Sequence, residues 1–208
     1  MPPPGAGLAT AAVLGETRPV NAAHRYDVEI VHLLVSPAHA YFGRPRDGAA
    51  DVPTTDADHV EVVADKGVVG DRFYGKAVHL DASITLIAAE ALDAVAAELG
   101  VPPFDPLLAR RNVVLRGAHL TPLVGQEVVL ESGGDAVTLR VGRFANPCAW
   151  MDRVLAPGAH PALRGGRGGV RCRPLTTGVL HRGPAVLVSP VPLDPARAGD
   201  ALPRPRLP

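Results

Sequence analysis

From Glu127 to Ser189 the chain repeatedly runs for a few β-prone residues and is then cut by glycine, and this interval constrains the fold more than any other feature. The runs are Glu127–Leu130, Val137–Val141, Val170–Pro174, Gly178–Leu180 and Ala185–Ser189, with Gly125, Gly133-Gly134 and Gly165-Gly166-Arg167-Gly168-Gly169 among the breaks. Short strands between glycine turns at this spacing predict an antiparallel barrel or sandwich. Composition agrees: glycine and proline reach 22 each, and the 47% apolar content is carried by Ala, Val and Leu with few aromatics. Such a chain makes many short elements joined by turns.

The first half adds further strands and one helix. Tyr26–Val35 is β-rich and stops at Ser36-Pro37, Val60–Ala64 reads as a second strand, and Ala82–Ile87 alternates as a third. Ala88–Leu99 carries Leu92, Val95, Ala96 and Leu99 at helical spacing, and Gly100 with Pro102-Pro103 closes it. A short helix is expected near Asp105–Ala109, a strand at Val113–Arg116, and a helical turn or two at Met151–Leu155. The class is mainly β with α (α+β). One domain is expected over residues 26–189, with residues 1–25 and 190–208 as disordered tails, because those ends are rich in proline and have no apolar period.

Charge and cysteine count remove several functional classes. With 21 basic and 21 acidic residues, the chain has no net charge to draw it to nucleic acid or to an anionic membrane. No apolar run approaches the roughly 18 to 20 residues that span a bilayer, and Met1-Pro2-Pro3-Pro4-Gly5 does not begin a typical signal peptide. Two cysteines, Cys148 and Cys172, do not make a disulfide scaffold. The expectation is a cytoplasmic protein with free thiols.

Chemistry concentrates at Phe144-Ala145-Asn146-Pro147-Cys148-Ala149-Trp150-Met151-Asp152. Pro147 fixes the direction in which the chain reaches Cys148. A thiolate there can attack, carry sulfur or ligate a soft metal, whereas free cysteine is also an ordinary packing residue; the motif alone leaves both readings open. Cys172, in a strand between Arg171 and Arg173, is read as structural. The loop from Gly67 to Gly75 brings its backbone close to a ligand or a neighbouring strand, and its Asp71-Arg72 suits a structural ion pair. It lacks the spacing of a Walker phosphate loop.

Taken in order, these segments resemble the MOSC family, named for the C-terminal domain of molybdenum cofactor sulfurase. They are Val35–Gly43, Gly67–Phe73, the Ser83 strand with its Glu90 helix, Arg110–Val114, Leu123–Gly125, Pro147–Asp152 and Arg167–Val170. The resemblance is to the short, stand-alone bacterial members. It implies a closed or partly closed β-barrel with peripheral helices and a site for the molybdenum cofactor, a molybdopterin.

In a reductase relative that contains this domain, the cysteine matching Cys148 ligates molybdenum, which makes Cys148 both the metal ligand and the catalytic residue. Arg110 and Asn112 match cofactor-serving positions, Ser83 lies where a hydroxyl contact is expected, and His39 falls near a phosphate-contacting position. Arg111 and the Arg167-Gly168 turn supply further donors suited to a phosphate. The implied activity is reduction of N-hydroxylated small molecules. With no flavin, haem or iron–sulfur signature in the chain, the electrons must come from a separate donor protein. Two alternatives carry over from the family. Cys148 as a sulfur carrier would accept a persulfide from a separate cysteine desulfurase, pyridoxal phosphate then entering only through that partner, and a non-catalytic module would bind or deliver the cofactor.

Overall fold

The computed structural model describes residues 24–203. Its strands are β1 (His24–Val35), β2 (Thr55–Asp56), β3 (His59–Val63), β4 (Gly67–Val68) and β5 (Ile84–Ala88). Helix α1 (Ala89–Leu99) and strands β6 (Val113–Arg116), β7 (Glu127–Ser132) and β8 (Asp135–Phe144) follow. Helices α2 (Trp150–Val154) and α3 (Ala159–Ala162) then lead to β9 (Val170–Pro174), β10 (Gly178–His181) and β11 (Gly183–Ser189).

Alternation puts one face of each long strand inside. Val128 and Leu130 of β7 and Val137, Leu139 and Val141 of β8 are fully buried, while Glu127, Glu131 and Arg140 between them face outward. Ser132 pairs with Asp135 across Gly133-Gly134, both at positive φ, the two-residue turn whose twist matches that of a hairpin. The large sheet runs β11-β7-β8-β9-β5-β6-β1-β2. Pairing of β1 with β11, from His24↔Ser189 to Ile30↔Gly183, closes it into a seven-strand barrel with β2 as an added edge. The expectation of a closed or partly closed barrel resolves to a closed one.

Among the described residues the single parallel pairing, β5 with β6, is bridged by α1. Ile30, Leu86, Leu115, Leu130, Leu139 and Leu187 belong to the core inside the barrel. A second apolar cluster, with Ile87, Leu92, Val95, Val114, Trp150 and Leu163, packs the helices on its outside. Strands β10, β3 and β4 form a separate small sheet.

Two expectations are corrected. Residues 77–82 form a 3-10 turn with Ser83 as its C-cap, so β5 starts only at Ile84. Gly67 explains the arrangement: a Cβ there would sit 2.6 Å from the Ser83 carbonyl, so the backbones touch at this point. The segment from 190 to 203, expected as disordered tail, runs back across the fold as a strap. Val191 and Leu193 pack on the barrel core, the Leu193 N–H donates to the Tyr26 hydroxyl (2.6 Å), Arg167 Nε donates to the Gly199 carbonyl (2.8 Å), and the Leu202 N–H donates to the Gly165 carbonyl (2.8 Å). These bonds involve backbone groups that no apolar period announces. Of the tail expected over 1–25, His24 and Arg25 already belong to β1, and residues 1–23, with 204–208 at the other end, lie outside the described residues.

The tightest backbone approach is at Gly169, with φ +89°, where a Cβ would lie 2.1 Å from the Leu86 carbonyl oxygen. Gly169→Ala is expected to destabilise the protein by about 3 kcal/mol, through steric overlap added to left-handed strain, read as a lower midpoint in urea unfolding.

Candidate functional site

A cavity of about 210 Å³ opens where the loops after β1 and β8 meet the segment before β6. Thr85, Arg171, His39, Tyr41, Arg72, Arg110, Arg111 and Cys148 line it, and none of its lining residues is acidic.

Asn112 sets the frame. Its Oδ1 accepts from the Thr85 N–H (3.0 Å) and hydroxyl (2.9 Å), and its Nδ2 donates to the Leu34 carbonyl (3.3 Å) and to Asp71 Oδ2 (3.1 Å). Its backbone N–H donates to Thr85 Oγ1 (3.0 Å), and its carbonyl accepts from the Leu34 N–H (2.8 Å). One buried amide thus joins the ends of β1, β5 and β6 to the Gly70-Asp71 turn. Asp71 in turn accepts from the Phe73 N–H (3.0 Å) and lies 3.9 Å from Arg72 Nη1.

Four guanidiniums converge above this frame. Arg110 follows a 3-10 turn over Pro106–Ala109 and takes the left-handed conformation (φ 52°), strained by roughly 1 kcal/mol for a residue with a Cβ. It donates to Thr54 Oγ1 (3.1 Å) and the Ala38 carbonyl (2.9 Å). Arg111 donates only to carbonyls, those of Gly168 (2.9 Å), Ala109 (2.9 Å) and Ala145 (3.2 Å), so its charge has no carboxylate against it. Burial, assisted by the charge of Arg171, pushes Arg111 down to about 10, with a Cys148 thiolate acting the other way. Burial also lowers Arg72, Arg110 and Arg171 from the ordinary arginine value. Among the described residues, Arg72 Nε and Nη1 and Arg110 Nε are buried without a hydrogen-bond partner. Each such donor costs about 1–3 kcal/mol until an acceptor arrives.

The remaining wall is aromatic and sulfur. Tyr41 stacks on Trp150 with centroids 5.3 Å apart and donates its hydroxyl to the Leu108 carbonyl (2.6 Å), which leaves that hydroxyl engaged. His39 Nδ1 accepts from the Tyr41 N–H (3.0 Å), so the neutral ring carries its proton on Nε2. Burial first, then Arg72 and Arg110, hold His39 below its ordinary value. Cys148 is exposed on the loop after β8, and its carbonyl starts α2 by accepting from the Met151 N–H (2.9 Å). Cys172 is fully buried in β9, where burial pushes its thiol far up, as suits a packing residue.

Of the residues picked out from sequence, Cys148, Arg110, Arg111 and His39 meet at the cavity. Asn112 lies behind it as a positioning residue, and Gly168 contributes the carbonyl that orients Arg111. Two do not reach it. Ser83 is fully buried and donates its hydroxyl to the Leu80 carbonyl (2.9 Å), because it caps a 3-10 turn instead of standing in the strand. Arg167 is held on both sides of its fork by Glu98 (2.6 and 2.8 Å) and binds the strap at Gly199, so its charge is spent in the fold. Sequence reasoning missed Arg72 as more than an ion-pair partner, and missed Arg171 and Thr85. Arg171 carried a usable signal, an arginine in a strand already flanked by the glycine turn.

The MOSC domain family model matches residues 65–187. Among solved structures, the chain is similar to the YuaD protein of Bacillus subtilis at 18% identity and TM-score 0.62, over 81% of this chain and 99% of that one. It is similar to YiiM of Geobacillus stearothermophilus at 18% identity and TM-score 0.55, over 77% and 74%. For YiiM of Escherichia coli the values are 16% and 0.51, over 81% and 71%. At these identities the likeness is one of fold. No curated protein matches the chain.

Because the folded value of His39 is depressed, the unfolded chain protonates first as pH falls below 6.5, and the stability this group contributes is lost from that point down to its folded value. In an NMR titration, the His39 ring is expected to show a midpoint below 6.5, and Arg72→Gln to move that midpoint upward.

Proposed function

We propose that this chain, which belongs to the MOSC domain family, holds a molybdenum cofactor in the Cys148 cavity and reduces N-hydroxylated small molecules there. The family is linked to that cofactor. One observation carries the reading to this cavity: four guanidiniums and an exposed thiol share a space lined by no acid.

The donor set suits a phosphate-bearing pterin. Arg110 and Arg111 are already fixed by hydrogen bonds to the fold, and the unpartnered Arg72 Nε, Arg72 Nη1 and Arg110 Nε are donors awaiting acceptors. A dianionic phosphate would satisfy them and reverse the depression that burial imposes on these arginines. Cys148 would supply the thiolate to molybdenum. Among the described residues no group of three His, Cys, Asp or Glu could cage a metal, so the other ligands would come from the cofactor's own sulfurs. The bound cofactor supplies the change of metal oxidation state that oxygen removal from nitrogen requires.

The chain's own groups do the rest. Reduction of an N-hydroxy group to an amine consumes two electrons and two protons and releases water. Neutral His39, with its N–H on Nε2, can hydrogen-bond to the leaving oxygen while the two protons come from solvent, and Tyr41 stacked on Trp150 gives a planar substrate an aromatic wall. Electrons come from a separate donor protein.

Exposure of Cys148 favours a second reading, in which the thiol accepts a persulfide from a pyridoxal-phosphate-dependent cysteine desulfurase. The two separate on metal content. Protein made in a cofactor-competent host is expected to carry close to one molybdenum per chain by elemental analysis, and Cys148→Ser to lower both metal content and N-reduction by roughly a hundredfold or more. Arg111→Gln should weaken cofactor retention by about tenfold to a hundredfold, the worth of one charge-assisted contact. Metal-free wild-type protein that gains sulfur on Cys148 from a desulfurase would overturn the reductase reading in favour of the carrier.

A further inference from the structure

Strands β8 and β9 face each other with two arginine pairs, and the fold treats the pairs differently. Arg140 opposes Arg173, and Arg143 opposes Arg171. Like charges directly opposite on a ladder repel. In the first pair each charge is answered: Arg140 by Glu127 (2.7 Å), and Arg173 by Asp65 (2.7 Å) with Asp81 at 3.9 Å. In the second pair, among the described residues, neither side chain has a hydrogen bond or a carboxylate within 4.0 Å.

The second pair owes its placement to an irregularity. The register shifts between Val141 and Arg143, with Gly142 as the extra residue, so Val141 stays opposite buried Cys172 while Arg143 comes round opposite Arg171. Arg171 lines the Cys148 cavity. Arg143 lines the adjoining groove, which shares His79 and Ala82 with that cavity. Burial and the neighbouring Arg143 charge both press Arg171 below its ordinary value; the one acid lining the groove, Asp81, lies 3.9 Å from Arg173 and within 4.0 Å of neither Arg143 nor Arg171.

We propose that Arg143 and Arg171 form a second anion subsite on the flank of the Cys148 cavity, which takes a phosphate ester carried by the substrate. This rests on the reductase reading and narrows its substrate class to phosphorylated N-hydroxy compounds, such as nucleotides with a hydroxylamino base. Charge supports it: one phosphate brings about −1.5 to −2, which Arg72, Arg110 and Arg111 already match, with Arg143 and Arg171 in excess.

Two measurements test the subsite separately from the cofactor. Cofactor-free protein titrated calorimetrically with inorganic phosphate is expected to bind at two sites, and the R143Q/R171Q variant at one, with a melting temperature unchanged or raised because a repulsive pair has gone. A single wild-type site, or two sites retained in the variant, overturns the proposal whether or not the protein ever holds molybdenum. With loaded protein, kcat/KM for a hydroxylaminopurine nucleoside monophosphate should exceed that for the free nucleoside by roughly tenfold to a hundredfold, and the ratio should fall to about one in the variant. An equal ratio in wild type and variant overturns it. So does release of a stoichiometric nucleotide from purified wild-type protein, which would assign the pair to a second phosphate on the cofactor. Loaded protein that reduces neither compound counts against the reductase reading, while the phosphate titration still decides the subsite.

Discussion

The site depends on one side-chain amide. Asn112 is buried, and its carbonyl and amide ends all have partners, yet those partners belong to β1, β5 and the turn that carries Asp71. A fully satisfied polar junction in a low-dielectric setting is rigid, because moving any member strands the others. The rigidity matters because the layer above is electrostatically unfavourable. Four guanidiniums are held near one another with Asp71 as the neighbouring negative charge, which acts on Arg72 and Arg110.

Carbonyl oxygens do the remaining work of restraint. Arg111 is gripped by three of them, and Arg110 by one together with a hydroxyl. Partial charges orient an arginine while neutralising little of it, whereas a carboxylate would do both. The contrast with Arg167, forked onto Glu98, shows the two uses of the same residue type within one chain.

Local pattern made much of this legible. The alternation of β7 and β8, the helix closed by Gly100 and the turn at Gly133-Gly134 follow from period and glycine alone; the family resemblance brought Cys148 and Arg110 to one place, and donor chemistry added Arg111. What stayed hidden was non-local. Closure of β1 on β11 pairs residues from opposite ends of the sequence. The strap from 190 to 203 is tied by backbone bonds and by Arg167, which leave no periodic trace. Ser83 and Arg171 exchanged roles for a related reason: two residues of displacement at the start of β5 turned an expected contact into a cap, while the strand position of Arg171 did not say which end of the barrel it would meet.

The seam between β1 and β11 also governs when the molecule can exist during synthesis. His24 meets Ser189 only after almost the whole described chain has been made, so closing the barrel is a long-loop event with the slow kinetics such events carry. Every residue that lines the Cys148 cavity is made before that moment. A growing chain therefore carries the Cys148 thiol and the arginines of the cavity before the strand that closes the barrel has been made.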